Sequence, residues 1–176
     1  MAKLIIFSND YTQKDVYGKV INYALNPASA LYVGSVNIYR EAGVDAIAKQ
    51  MLELTIAYGA LGGQLLKHFS LSFDTYGTEA WVTPEIAFSI GTIICQKILY
   101  HFQVVFSVHT DTECVHIHFV VNGINYLGEK FVDKQETYMQ ISNDIKKYST
   151  YAEGVNEKIN CDVLFRNNNT YRNKSC

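Results

Sequence analysis

Two β-rich runs separated by a short polar segment constrain this chain more than anything else in it. Gln103-Val-Val-Phe-Ser-Val-His109 is dense in strand formers, and in the second run Val115, Ile117, Phe119 and Val121 alternate with His116, His118 and Val120. A period of two over that length is the signature of a half-buried strand. Thr110-Asp-Thr-Glu113 between them suits a hairpin connection. His116 and His118 then share one face, about 6 to 7 Å apart along the strand, and the turn brings His109 beside them.

Three neutral imidazoles on one face can converge on an ion, leaving it full positive charge and open positions suited to polarising a phosphate oxygen. The alternative is a set of hydrogen-bonded or surface histidines, which is the commoner fate of a lone His-x-His pair. Cys114 and Asp111 are close enough in sequence to be rival ligands. Asp111 is preferred as a partner that orients an imidazole, with a plain turn residue as the alternative.

The chain has 176 residues and 48% apolar content, which fits one domain with a sizeable core. No apolar run of about 18 residues exists, and Leu4 to Phe7 is too short for a secretory signal, so a cytoplasmic protein is expected. The cysteines at 95, 114, 161 and 176 form no Cys-x-x-Cys pair, and reduced thiols are the default reading. A net charge of -2 supplies no electrostatic argument for nucleic acid.

Leu4 to Phe7 reads as an opening strand, and Asp15 to Leu25 as a helix carrying Val16, Val20 and Tyr23, stopped by Asn26-Pro27. Ala28 to Gly43 has no period, and Gly34, Ser35 and Asn37 suggest an adaptable loop presenting Tyr32 and Tyr39. Val44, Ile47, Met51, Leu54 and Tyr58 make the clearest helix, closed by Gly59. Lys67 to Phe73 alternates as a strand with one polar face. Thr83-Pro84 opens a helix expected to run to about His101. Lys130 to Val132 reads as a further strand, and Thr137 with Gln140 as the capping box of a last helix through Tyr148. The tail from Arg166 to Cys176 has too few apolar residues to pack. The expectation is an α+β domain over 1–152, an antiparallel sheet of about five strands covered by helices on one face. Residues 153–176 form a poorly ordered or truncated extension. The polar sheet face would carry His68, His109, His116 and His118 beside an open cleft.

The chain resembles the relaxase, or mobilisation nuclease, family of conjugative and mobilisable elements, in particular its MOBP-like members. The resemblance rests on Lys19-Val-Ile-Asn-Tyr-Ala-Leu-Asn-Pro27, on Ala57-Tyr-Gly with Gly62-Gly and Lys67-His-Phe-Ser-Leu-Ser-Phe73, on Thr83-Pro-Glu-Ile-Ala87, and on Tyr100 to Asp111 with His116-Ile-His-Phe-Val-Val-Asn122. It implies the HUH endonuclease fold and a tyrosine that attacks single-stranded DNA at a transfer origin, leaving a 5′-phosphotyrosine link and a free 3′-hydroxyl. Carried over, Tyr23 matches the nucleophile, with Tyr17 the nearest rival. His109, His116 and His118 match the metal ligands, and His68 and Asn122 match recurrent positions. Magnesium or manganese is the implied ion, with zinc or nickel accepted in vitro. Asp111 is assigned to the catalytic group, and Lys19, Tyr32, Tyr39, His68 and Asn122 to DNA binding. Accessory relaxosome proteins and a coupling protein are the implied partners.

Two departures stand out: many relatives carry histidine where Cys114 stands, and relaxases usually continue beyond the nuclease core. The competing readings are an HUH replication initiator or transposase, an inactive DNA-binding relative, and a tri-histidine hydrolase of small molecules.

Overall fold

The computed structural model describes residues 1–73 and 82–166. The elements run β1 (Ala2–Phe7), α1 (Val16–Ala24), β2 (Ala30–Val36), α2 (Val44–Ala57), β3 (Leu66–Phe73), α3 (Pro84–Lys97), β4 (Phe102–His109), β5 (His116–Asn125), α4 (Gln135–Tyr148) and β6 (Cys161–Arg166), with a short 3-10 turn at Ser149–Tyr151. The strands form one sheet in the order β2-β4-β5-β3-β1-β6. Every pairing is antiparallel except β1 with β6. The α+β class holds, with six strands in place of about five.

Helices cover both sheet faces, against the expectation of one. On one side α3 and α4 bring Ala87, Ile90, Ile94, Tyr138, Ile141 and Ile145 onto Phe69, Leu71, Phe106, Ile117, Phe119 and Val121. On the other, α1 and α2 bring Val16, Ile21, Ile47 and Met51 onto Leu66, Val105 and Val120. Along that second face β5 reads His116, His118, Val120, Asn122, so it is polar at one end and apolar at the other. β3 is consequently buried along its whole length, its polar-side His68, Ser70 and Ser72 included.

The strand at β2 was missed because Gly34 and Asn37 read as loop markers. Gly34 instead makes room: a Cβ there would stand 2.2 Å from the Phe106 ring, and one at Gly91 of α3 would stand 2.6 Å from it. The ring of Phe106 thus fills the space that two glycines leave between β2 and α3. Asn37 does mark a turn, but the one that ends the strand, with φ of 56° and its amide donating to Phe102 O at 2.9 Å.

Residues 153–166 belong to the domain rather than to an extension, since Val155 and Ile159 are core residues and β6 pairs in parallel with β1. Residues 167–176 of the expected tail lie outside the described residues. Lys130 to Val132 forms no strand, only a single bridge from Lys130 to Ile124. α3 ends at Lys97 rather than His101, and α4 begins at Gln135 with no side-chain cap, so the Thr137 capping box does not form. Thr83 does cap α3, accepting from Ile86 N at 3.3 Å, and Gly59 follows α2 with φ of 62°. Cys95 and Cys161 are free thiols, as expected. Among the described residues no helix is long and apolar enough to cross a membrane.

Because Phe106 is enclosed, Gly91→Val should destabilise the fold by about 1–3 kcal/mol, the usual cost of overpacking. Urea unfolding measures this, and an unchanged midpoint would mean that the ring has somewhere to go.

Candidate metal centre and tyrosine

The antiparallel register of β4 and β5 sets His109 opposite His116 and Ser107 opposite His118. On the other flank of β5, Ser70 of β3 lies opposite His118, two residues from His68. All these side chains fall on the face that α1 crosses. The ligand nitrogens of His109, His116 and His118 lie within 4.8 Å of one another, a group that could hold a metal ion.

Each ring is held from behind. His109 Nε2 is 2.7 Å from Ala24 O, and His116 Nδ1 is 3.0 Å from Cys114 O. A carbonyl only accepts, so both nitrogens carry the proton, leaving His109 Nδ1 and His116 Nε2 bare. His118 Nδ1 lies 3.0 Å from His68 Nε2; when His118 donates there, its Nε2 is the third bare nitrogen. Such acceptors fix both tautomer and ring orientation in metal-binding histidines.

Asp111 does not have the orienting role expected of it. Its Oδ1 is 3.7 Å from His116 Nε2 and 4.0 Å from His109 Nδ1, so it stands on the side of the bare nitrogens. The ring-orienting acceptors are two carbonyls and a fourth histidine.

Burial keeps His68, His109 and His118 neutral. Desolvation, with the charge of His109 adding to it, pushes His68 down to about 3. Burial first, then His68, His116 and His109, lowers His118 well below the usual imidazole range. His109 is lowered too, by desolvation that outweighs its bond to Ala24 O. Neutral imidazoles are the form that binds metal.

Tyr23 sits in the last turn of α1 and is 49% exposed. Its ring stands edge-on to His118, with centroids 5.4 Å apart, and 5.8 Å from that of His68. Tyr17, the rival, is 1% exposed, and burial pushes its phenol up to about 12. Its hydroxyl is spent on Leu65 O and Asn122 Oδ1, at 2.9 and 3.0 Å, beside Thr55. The apolar period of α1 carries both tyrosines, but only one of them reaches the surface at the histidines.

The residues expected to touch DNA scatter. Lys19 is exposed one helical turn before Tyr23 and pairs with Asp15 at 2.5 Å. Tyr32 lies on the opposite sheet face, its ring against Phe88 and its hydroxyl on Glu85. Tyr39 follows the strand end that pairs near Val104, away from His109, and is held to Gln50 through its backbone. His68 and Asn122 are 3% and 0% exposed, so neither has a surface to offer DNA. Asn122 instead joins the layers: its amide donates to Met51 O and Gln103 Oε1, and its oxygen accepts from Tyr17 and Thr55. Phe7, whose ring stacks on His68 at 4.4 Å, went unnoticed in the sequence. Its place at the end of β1, beside β3, was the available signal.

A mostly antiparallel sheet, with a three-histidine group that could hold a metal ion at its centre and a tyrosine on the helix above, fits the HUH fold. The family model for Relaxase, MobA/VirD2-like, nuclease domain, matches residues 23–150, and the chain belongs to this family. No match was found among curated proteins.

The lowered histidines fix the sign of a pH effect. A histidine whose folded value is depressed contributes stability that is complete above the unfolded value, near 6.5, and is lost as pH falls, because only the unfolded chain takes up the proton. Metal-free protein should therefore show a urea midpoint that falls from about pH 6.5 downward, and His68→Gln should flatten part of that slope. A midpoint constant between pH 7 and 5 would mean that these imidazoles are not held neutral.

Proposed function

We propose that this chain is a metal-dependent, strand-transferring nuclease acting on single-stranded DNA at a transfer origin, with Tyr23 as nucleophile. The observation that carries this reading is the exposed Tyr23 ring against His118, with its rival Tyr17 sealed in the core. Membership of the relaxase nuclease family supports the reaction class. Tyr23 precedes the histidines in the chain, which favours a relaxase over an initiator or transposase of the same fold.

The Tyr23 phenol oxygen attacks the scissile phosphorus. The bond from phosphorus to the 3′ oxygen breaks, the phenol proton leaves to solvent or a nearby base, and the 3′ oxygen departs as a hydroxyl after gaining a proton. The 5′ phosphate remains esterified to Tyr23, so the bond energy is kept and the strand can be rejoined. An ion held by His109, His116 and His118 would draw charge from the non-bridging phosphate oxygens as it develops. An all-imidazole set suits a first-row transition ion better than magnesium, which favours manganese among the expected ions. The Asp111 carboxylate adds negative charge beside the bare nitrogens and strengthens their hold on a cation. Lys19, on the Tyr23 side of α1, is retained as a phosphate contact; Tyr32 and Tyr39 are not, given where they lie.

An inactive relative is the second reading, favoured only by the net charge of -2. Incubating the protein with manganese and a pool of single-stranded oligonucleotides separates the two. A covalent adduct carrying the 5′ end should form, with an extendable 3′-hydroxyl on the released piece. Chelator should abolish it, and Tyr23→Phe should reduce it to background. Adduct that persists in Tyr23→Phe would move the nucleophile elsewhere, and no adduct with any sequence would leave the inactive relative. Tyr17→Phe should keep the chemistry while costing about 1 kcal/mol of stability, the usual worth of a hydrogen bond.

A further inference from the structure

The carbonyl next to the proposed nucleophile is held by strand β4 rather than by its own helix. The last carbonyls of any helix lack intrahelical partners. For Ala24 the sequence removes both candidates: the residue three positions on is Pro27, which has no N–H, and the N–H four positions on, of Ala28, is bonded to Asn26 Oδ1 at 3.1 Å. Ala24 is fully buried, so its oxygen needs a donor from elsewhere. It has two, Ser107 Oγ at 2.5 Å and His109 Nε2 at 2.7 Å. Ser107 is itself fully buried, and its Oγ lies 3.0 Å from the same His109 nitrogen.

We propose that Ser107 is a positioning residue, one that with the Asn26-Pro27 break clamps the Ala24 carbonyl so that Tyr23 and the metal ligand His109 are held by one shared acceptor atom. This rests on the nuclease reading above. Tyr23 is the residue before the clamped carbonyl, and His109 reaches that same oxygen with the ring nitrogen it does not use for metal. Motion of the end of α1 would therefore misplace nucleophile and ligand together. The Asn-Pro step then has a role beyond stopping a helix: it keeps helical N–H groups from competing for the oxygen.

The test is single-turnover adduct formation at saturating DNA and manganese, alongside thermal melting and a manganese titration. Ser107→Ala should slow the adduct-forming step about tenfold, the effect of roughly 1.4 kcal/mol on a barrier, with little change in DNA affinity. Ser107→Thr, which keeps the hydroxyl, should recover most of the rate. Pro27→Ala, which restores a competing N–H without touching β4, should slow the same step, and the double variant should lose less than the product of the two single losses. Ser107→Ala that melts earlier but reacts within twofold of the parent would make Ser107 a packing residue only. Multiplicative losses would likewise overturn the single clamp. Unaltered protein that forms no adduct at all would sink the nuclease reading instead. The clamp is then judged by nitrogen-15 NMR of the metal-free protein, where His109 should be protonated at Nε2 alone, and a mixed tautomer would overturn it.

Discussion

The register of the β4-β5 ladder is the constraint from which the site follows. With His109 opposite His116 and Ser107 opposite His118, three imidazoles rise from one face of two neighbouring strands. Side chains alternate with a period of two, so a slip by one residue would turn one strand's histidines into the apolar layer under α3 and α4. The hydrophobic face enforces the register: Val104, Phe106 and Val108 of β4 and Ile117, Phe119 and Val121 of β5 are all needed in that core. The cost of a slip is the exposure of that layer, which makes the histidine arrangement a by-product of packing on the opposite side.

The histidine face divides its length between stability and chemistry. Under α1 and α2 it is apolar, with Val105, Val120 and Leu66 sealed by Ile21, Ile47 and Met51. One fully satisfied polar group, Asn122, ties β5 to α1, α2 and β4 at that end. At the end of α1 the face turns polar, and burial keeps His68, His109 and His118 neutral while Tyr23 remains at the surface. A helix C-terminus carries partial negative charge, so the carbonyl end that supports His109 also favours a cation nearby.

Legibility in the sequence followed the range of the interactions involved. α1, α2, β3 and the β4-β5 hairpin were readable because their apolar periods are local and strong. β2 was hidden by Gly34, whose missing side chain is explained only by the Phe106 ring it admits. β6 was hidden because it depends on a parallel pairing with β1 at the other end of the chain. The candidate ligands were legible as residue types at a spacing, whereas Tyr23 stood out among 13 tyrosines only through the family resemblance. The structure changed the partners: Asp111 faces the bare nitrogens, His68 supports His118, and Tyr32 and Tyr39 lie away from the histidines.

By itself the sequence determined which residues could act: three histidines on two alternating strands, a tyrosine in the last turn of a helix, and an Asn-Pro break after it. Those facts are covalent and local, set by side-chain alternation and by a proline that lacks a donor. Only the tertiary structure decided which of Tyr17 and Tyr23 is exposed, which helices cover each face of the sheet, and which buried acceptor each imidazole finds. Those outcomes depend on desolvation and on hydrogen bonds between groups up to about a hundred residues apart, such as Tyr17 and Asn122. A pattern of neighbours in sequence carries no information about who will be excluded from water together.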